Sequence, residues 1–135
     1  SYERRVGEII ARSGGYPREI VQMLQVVVGS MPHTDFEFRG LLNEFADAHR
    51  RAVPAEAYAW LAEVALDRNL VVRDDGHRHI VDLMLSNHAV LRYRNDSEWF
   101  DLHPAVREIV GVIRAIDELR RQRAQPPDGS AAGSG

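Results

Sequence analysis

The sequence predicts a mainly α-helical fold that contains one β-hairpin. Along most of the chain, apolar residues recur at the three- and four-residue spacing of amphipathic helices. Only the stretch from Ala89 to Leu102 changes to the pattern of two short strands. The composition, with 44% hydrophobic and 27% charged residues among 135, is that of a globular chain large enough to bury a core.

Two helices are predicted at the start of the chain. The first covers residues 2–13, and Gly14-Gly15 ends it, because glycine adopts the left-handed conformation of a helix C-terminus at little cost. Pro17 then suits the first position of a second helix, where its missing N–H is not needed. An apolar stripe at helical spacing extends the second helix to about Ser30, through Ile20, Leu24, Val27, Val28 and Met31.

Three more helices are predicted before the strands. Thr34 and Glu37 have the spacing of a capping box, which predicts that a third helix begins there. Pro54 opens a fourth helix in the same way that Pro17 opens the second. A fifth helix is predicted over residues 78–87, after the turn signal of Asp74-Asp75-Gly76.

The strands are predicted over residues 89–94 and 97–102, with Asn95-Asp96 as a tight turn between them. A two-residue turn places Arg92 opposite Trp99, where the guanidinium would stack on the indole ring. Such an exposed contact is worth about 0.5–1 kcal/mol.

The order of elements predicts the domain organisation. A single last helix is expected from Pro104 to about residue 122, so that residues 34–122 follow the order helix, helix, helix, hairpin, helix. That is the order of a winged-helix-like domain, and residues 1–33 form a helical segment before it. Residues 123–135 are rich in Pro, Gly and Ser and are expected to form a disordered tail or linker.

Composition excludes several functions for this chain alone. All 17 basic residues are arginine, and there is no lysine or cysteine. A phosphate-binding P-loop needs its lysine, Schiff-base chemistry needs an amine, and thiol catalysis needs cysteine. A net charge of −3 gives no general attraction to nucleic acid. No apolar run is long enough to span a membrane and no signal peptide is apparent, so we expect a cytoplasmic location.

The segment Gly14-Gly15-Tyr16-Pro17-Arg18 allows two interpretations. Its glycines and proline are sufficient to stop one helix and start the next, with Arg18 as a solvated residue of the first turn. An arginine at that place is nevertheless unusual, because the positive end of the helix dipole favours acidic side chains there. An arginine that reaches away to an anion would account for it.

This segment resembles the sensor-2 region in the helical lid of AAA+ and related signal-transduction (STAND, KAP-like) P-loop ATPases. In those families a Gly-Gly-x-x-Arg pattern starts a lid helix whose arginine reaches the γ-phosphate of ATP. Leu102-His103-Pro104-Ala105-Val106-Arg107 is similar to a stretch that often follows the wing in their winged-helix domains. The Walker A, Walker B and sensor-1 elements of these ATPases are missing from this chain.

The resemblance implies a helical lid over residues 1–33, joined to a winged-helix domain. It implies a regulatory module of a larger ATPase, in which Arg18, with Gly14, Gly15 and Tyr16, senses ATP and Mg²⁺ held by another domain of the parent protein. The module would bind no cofactor and catalyse no reaction by itself. Its expected partners are that nucleotide-binding domain and either a further protein or a second copy of the chain.

Two alternatives remain open on the sequence. A winged-helix domain can bind DNA, with Arg78 on the recognition helix and Arg92 and Arg94 on the wing. Four basic and four acidic residues lie between Leu70 and Asp96, so no basic stripe favours this alternative. The second alternative is a protein-interaction module that dimerises through the long last helix.

No metal or catalytic site is predicted. His77 and His79 lie two residues apart, a spacing that points their rings in different directions on a helix. His33, His49 and His103 are isolated in the sequence. The acidic residues are distributed as solvated helix faces, and no pair of them suits acid–base catalysis.

Overall fold

The computed structural model describes residues 2–70 and 72–126, and over that range it confirms a mainly α-helical fold with one antiparallel hairpin. Three helices come first, and a 3-10 turn over Ala55–Ala57 precedes the fourth. The elements are α1 (Tyr2–Arg12), α2 (Pro17–Ser30), α3 (Asp35–Arg51), α4 (Tyr58–Asp67), α5 (Asp75–Ser86), β1 (Val90–Arg94), β2 (Glu98–Leu102), α6 (Pro104–Arg107) and α7 (Val110–Ala124).

Side-chain caps set where α3 and α5 begin. At α3 the Thr34 hydroxyl accepts a hydrogen bond from the Glu37 amide at 3.1 Å, and the Glu37 carboxylate accepts from the Thr34 amide, as the capping-box signature predicts. At α5 the Asp74 carboxylate accepts from the His77 amide at 2.9 Å. Because Asp74 is itself the cap, α5 begins at Asp75, three residues before the predicted start.

The predicted single last helix is wrong, because it is divided into α6 and α7. The His103 side chain caps α6, where its Nδ1 accepts the Ala105 amide hydrogen at 3.0 Å. Ile109 then takes an extended conformation and α7 begins at Val110. The break lets α7 change direction and pack closely on α4, at the ring of Tyr58. α7 continues to Ala124, and residues 127–135 of the predicted tail lie outside the described residues.

The hairpin register differs from the predicted one by one residue. Three residues, 95–97, connect the strands, so that Arg92 pairs with Phe100 and Tyr93 with Trp99. The predicted contact of Arg92 with Trp99 is therefore wrong. Tyr93 stacks on the Trp99 ring instead, with centroids 4.2 Å apart. In this register Phe100 is opposite Arg92 and its side chain is buried.

Two clusters of buried residues form the core. The larger joins α4, α5, the hairpin, α6 and α7. The smaller joins the first three helices through Ile9 of α1, Met23 of α2, and Phe38 and Leu42 of α3. Arg50 at the end of α3 donates to the Ala105 carbonyl at 3.2 Å and to Glu108 at 2.7 Å, which ties the two clusters together.

The predicted domain limits and the winged-helix assignment stay predictions, although the order of elements after residue 34 matches the predicted one up to the divided last helix. Among the described residues, no helix combines the length and apolar character needed to cross a bilayer.

The close packing of α7 on α4 gives a first test. A Cβ atom at Gly111 would overlap the ring of Tyr58. We expect Gly111→Ala to lower the free energy of unfolding by about 1–3 kcal/mol, the usual cost of overpacking. Gly40→Ala is the matched control, because nothing lies within 4 Å of that position on the exposed face of α3. It should stabilise by about 0.5–1 kcal/mol in urea denaturation. Equal effects of the two substitutions would contradict this packing.

Candidate functional site

The glycine segment between α1 and α2 lies against the β-hairpin. Gly14 and Gly15 both take the left-handed conformation, with φ of 69° and 72°. The Tyr93 hydroxyl of β1 donates a hydrogen bond to the Gly14 carbonyl at 2.8 Å. A Cβ at Gly14 would lie 2.8 Å from the same hydroxyl oxygen, whereas one at Gly15 would meet nothing within 4 Å. The left-handed backbone conformation favours glycine at both positions. At Gly14 the close approach of the Tyr93 hydroxyl also leaves no room for a Cβ atom.

Tyr16 extends the same contact. Its ring lies edge-on to Tyr93, with centroids 6.1 Å apart, and 6.2 Å from the ring of His88 in the turn before β1. Tyr16 is also the residue that precedes α2, with an extended backbone and no side-chain cap. Its side chain thus packs on the hairpin side of the molecule and fixes the direction in which α2 begins.

Arg18 differs from its neighbours. It is exposed in the first turn of α2 and forms no hydrogen bond or ion pair with any residue among 2–70 and 72–126. The next residue, Glu19, is completely buried. Of the four predicted sensor residues, Gly14 and Tyr16 are thus held within the fold, and Arg18 is exposed without a partner in the part of the chain that the structure describes.

Glu19 brings together histidines from three other parts of the chain. Its Oε1 lies 2.6 Å from Nε2 of His49 at the end of α3, 3.3 Å from Nε2 of His103 and 4.0 Å from Nδ1 of His88. His103 is fully buried, and its ring stacks on that of His49 with centroids 4.1 Å apart. The prediction that His49 and His103 are isolated is wrong, and so is the placement of Glu19 on a solvated face.

Hydrogen bonds on the far side of each ring fix where the protons are. His49 Nδ1 lies 3.1 Å from the Phe45 carbonyl, which accepts only, so this nitrogen carries a hydrogen. His49 Nε2 then meets the Glu19 carboxylate at 2.6 Å, and a proton must lie between them. His103 Nδ1 accepts the Ala105 amide hydrogen, so its own hydrogen is on Nε2, towards Glu19.

The charges follow from this arrangement. Burial by itself raises the pKa of Glu19, but the hydrogen bonds and charges of His103 and His49 lower it to about 2. Burial lowers the pKa of His49, and the bonds to Glu19 and Phe45 outweigh it and raise that pKa above its ordinary value. Burial also lowers the pKa of His103, which its contact with Glu19 does not overcome. These shifts favour the carboxylate form of Glu19, the charged form of His49 and the neutral form of His103.

The same three side chains have the residue types of a metal site. One ligand atom of each lies within 4.8 Å of the others. In a metal site, the histidine nitrogen that does not bind the metal usually donates a hydrogen bond to an acceptor. His49 meets this requirement, because its Nδ1 donates to the Phe45 carbonyl. His103 does not, because its second nitrogen accepts from an amide, and its Nε2 could ligate only by losing its hydrogen or by giving up the cap of α6. The cluster fits an ion pair better than a metal site.

The arginines predicted for DNA contact are mostly engaged within the protein. Arg92 Nε donates to the Glu98 carboxylate at 2.6 Å, and Arg94 donates to the same oxygen at 3.1 Å. These two bonds lower the pKa of Glu98. Arg78 is exposed on α5, and no contact among the described residues joins it to the hairpin arginines.

No family model, curated protein or solved structure matches this chain. The contacts around α2 are therefore the basis for a function. Sequence reasoning identified Gly14, Gly15, Tyr16 and Arg18, and it missed Glu19, His49, His103 and Tyr93. One signal was available, because His49 continues the buried helical spacing of Phe38, Leu42 and Phe45 along α3.

The two glycines offer a matched comparison. Gly15→Ala should cost about 1–2 kcal/mol, the penalty of a left-handed alanine. Gly14→Ala should cost about 2–3 kcal/mol, because its methyl group also displaces the Tyr93 hydroxyl from the Gly14 carbonyl. Urea denaturation of the two variants would measure both losses. A smaller loss for Gly14→Ala than for Gly15→Ala would contradict the contact with the hairpin.

The ion pair predicts a specific dependence of stability on pH. We expect Glu19→Ala to lower the free energy of unfolding by about 1.5–3 kcal/mol at neutral pH, because it removes charge-assisted hydrogen bonds. Glu44→Ala, on the exposed face of α3, should change it by less than about 0.5 kcal/mol.

The direction in which stability changes with pH follows from the pKa shifts of His49 and Glu19. The raised pKa of His49 gives stability that is complete below about 6.5 and is lost as pH rises through the folded value. The lowered pKa of Glu19 gives stability that is complete above 4.5 and is lost as pH falls towards about 2. The loss of unfolding free energy caused by Glu19→Ala should thus become smaller both at high pH and at low pH. A loss that does not depend on pH would contradict the ion pair of Glu19 and His49.

Proposed function

We propose that this chain is a non-catalytic regulatory module of a larger P-loop ATPase, and that Arg18 reads the phosphates of ATP held by a separate nucleotide-binding domain. The observation that carries the proposal is the contrast within one segment. Gly14, Tyr16 and Glu19 are all held by contacts inside the fold, and Arg18 between them is exposed and pairs with no residue that the structure describes.

The free guanidinium suits an anionic partner. At the first turn of α2 it opposes the helix dipole at a cost of about 0.3–1 kcal/mol, which a bound phosphate would turn into a gain. Arginine donates two parallel hydrogen bonds to phosphate and stays charged at any physiological pH. The same helix end also offers the positive pole of the dipole to an anion.

The contacts around Arg18 supply a route for the signal. A phosphate that draws Arg18 towards another domain would move the start of α2, and Gly14 and Tyr16 would move with it. Because Tyr93 holds Gly14, and His49 and His103 hold Glu19, the hairpin and the end of α3 would follow as one body. This is a rigid-body switch in which ATP, bound with Mg²⁺ by the other domain, supplies only the charge that Arg18 recognises.

The exposed surface of α2 favours a protein partner in addition. Val28 and Met31, which the sequence assigned to the buried stripe, are 70% and 71% exposed, while Glu19 and Met23 take the buried face. Exposed apolar residues close together at the end of a helix are typical of a surface that another protein covers. That partner is the nucleotide-binding domain, a further protein, or a second copy of the chain.

DNA binding is the weaker alternative. Its two hairpin arginines share one carboxylate of Glu98, and each would have to leave it before contacting a phosphate. A protein with this surface would bind duplex DNA only weakly, and Arg92→Ala would not change that binding. A strongly salt-dependent affinity that Arg92→Ala reduces would favour the alternative instead.

The test uses the full-length protein that carries this chain. We expect Arg18→Ala to reduce ATP turnover or nucleotide-dependent assembly at least about tenfold, which corresponds to one lost charge-assisted contact of about 1.4 kcal/mol or more. Arg114→Ala is the matched control, because Arg114 is also exposed and forms no ion pair among the described residues. Unchanged turnover and assembly in Arg18→Ala would overturn the proposal, as would a parent protein without a P-loop domain.

A further inference from the structure

The buried cluster at the start of α2 has a property that nucleotide sensing does not require. Glu19 is fully enclosed, and nitrogens of three histidines lie within 4.0 Å of its Oε1: His49 from α3, His88 from the turn before β1, and His103 from the turn after β2. Each of these elements belongs to the part of the fold on which α2 docks. The first turn of α2 is therefore attached to the rest of the molecule through a buried carboxylate and its short contact with the His49 ring.

We infer that a single proton between His49 and Glu19 acts as a latch, which holds the first turn of α2, with Arg18, against the hairpin and releases it when the proton is lost.

The geometry makes this proton necessary. The Phe45 carbonyl occupies Nδ1 of His49, so removal of the proton leaves a lone pair on Nε2 facing the carboxylate at 2.6 Å. The other groups replace it only weakly. His103 Nε2 is 3.3 Å from Glu19, a longer and weaker contact than the 2.6 Å of His49, and Glu19 Oε2 has no hydrogen-bond partner among the described residues. A buried carboxylate left in this way is unstable, and exposure of the first turn of α2 relieves it.

A second proton is resisted on the acidic side. The rings of His49 and His103 are nearly parallel, 21° apart, with their centroids at 4.1 Å. A charge on both rings would place two cations in direct contact, and burial already keeps His103 neutral by lowering its pKa. His88 is partly exposed and lies 4.0 Å from Glu19, at the edge of the cluster.

Release would be local. The first turn of α2 touches the hairpin through Gly14 and Tyr16, immediately before the latch. The smaller core cluster of Ile9, Met23, Phe38 and Leu42 contains none of the titrating groups and keeps α1, the rest of α2 and α3 together. This inference depends only on contacts within the chain, so it stands or falls independently of whether Arg18 reads a phosphate.

The experiment follows backbone and indole NMR signals of the whole chain as the pH is raised from about 6 to about 9, the range in which a raised histidine pKa is crossed. The reporters of docking are the amides of Gly14 and Gly15 and the indole N–H of Trp99, which stacks on Tyr93. The indole N–H of Trp60, in the core of the larger cluster, is the internal reference.

We expect the docking reporters to shift together, with the same midpoint as the His49 ring, while Trp60 stays constant. Glu19→Gln should remove the transition and keep the reporters docked at high pH, because the glutamine amide donates a hydrogen bond to neutral His49 Nε2 without a shared proton. His79→Gln, an exposed histidine of α5, should leave the transition unchanged.

Several results would overturn the latch. Reporters that do not titrate, or that follow a midpoint other than that of His49, would show that another group controls docking. A Glu19→Gln protein whose reporters still titrate as in the unaltered chain would show that the shared proton is irrelevant. Because Glu19→Gln keeps the size and shape of the side chain, a titration unchanged in that variant cannot be attributed to failed packing.

Discussion

The arrangement of this protein depends on the buried pair of Glu19 and His49. A carboxylate taken out of water costs several kcal/mol unless a cation and hydrogen bonds replace its hydration, so the pair forms only when α2 and α3 are in register with each other. His103 then completes the cluster from the far side, and the same ring caps α6 through its other nitrogen. One cluster of polar groups thus fixes the first turn of α2, the end of α3 and the start of α6.

This constraint explains why Arg18 stands out. The residues on either side of it have their positions fixed by the hairpin or by the histidines, so the backbone at Arg18 is held in place before any ligand arrives. A preorganised backbone loses less entropy on binding than a mobile one. The proposed sensing role and the inferred latch therefore both use the docking of the first turn of α2 on the hairpin and the histidines. Sensing uses this docking to transmit a movement of Arg18, and the latch releases it.

Local signals in the sequence predicted most elements and the segment around Arg18, but not what surrounds it. The capping box of α3 and the glycine stop after α1 depend on neighbouring residues and were predicted correctly. The hairpin register depends on one extra residue in the turn, which alternating strand patterns do not reveal. The contact of Glu19 with His49 spans 30 positions, and no periodic pattern relates them. On α2, Ile20, Leu24 and Val27 of the predicted stripe pack against the smaller cluster, whereas Val28 and Met31 are exposed and the paired carboxylate of Glu19 is buried with Met23.

The protonation of the two stacked histidines tests the account most directly, since the pair, the cap of α6 and the latch all depend on it. Long-range ¹H–¹⁵N spectra of the imidazole nitrogens distinguish a charged ring from each neutral tautomer. At neutral pH we expect His49 to carry hydrogens on both nitrogens and His103 to be neutral with its hydrogen on Nε2. A neutral His49, or a His103 with its hydrogen on Nδ1, would contradict it.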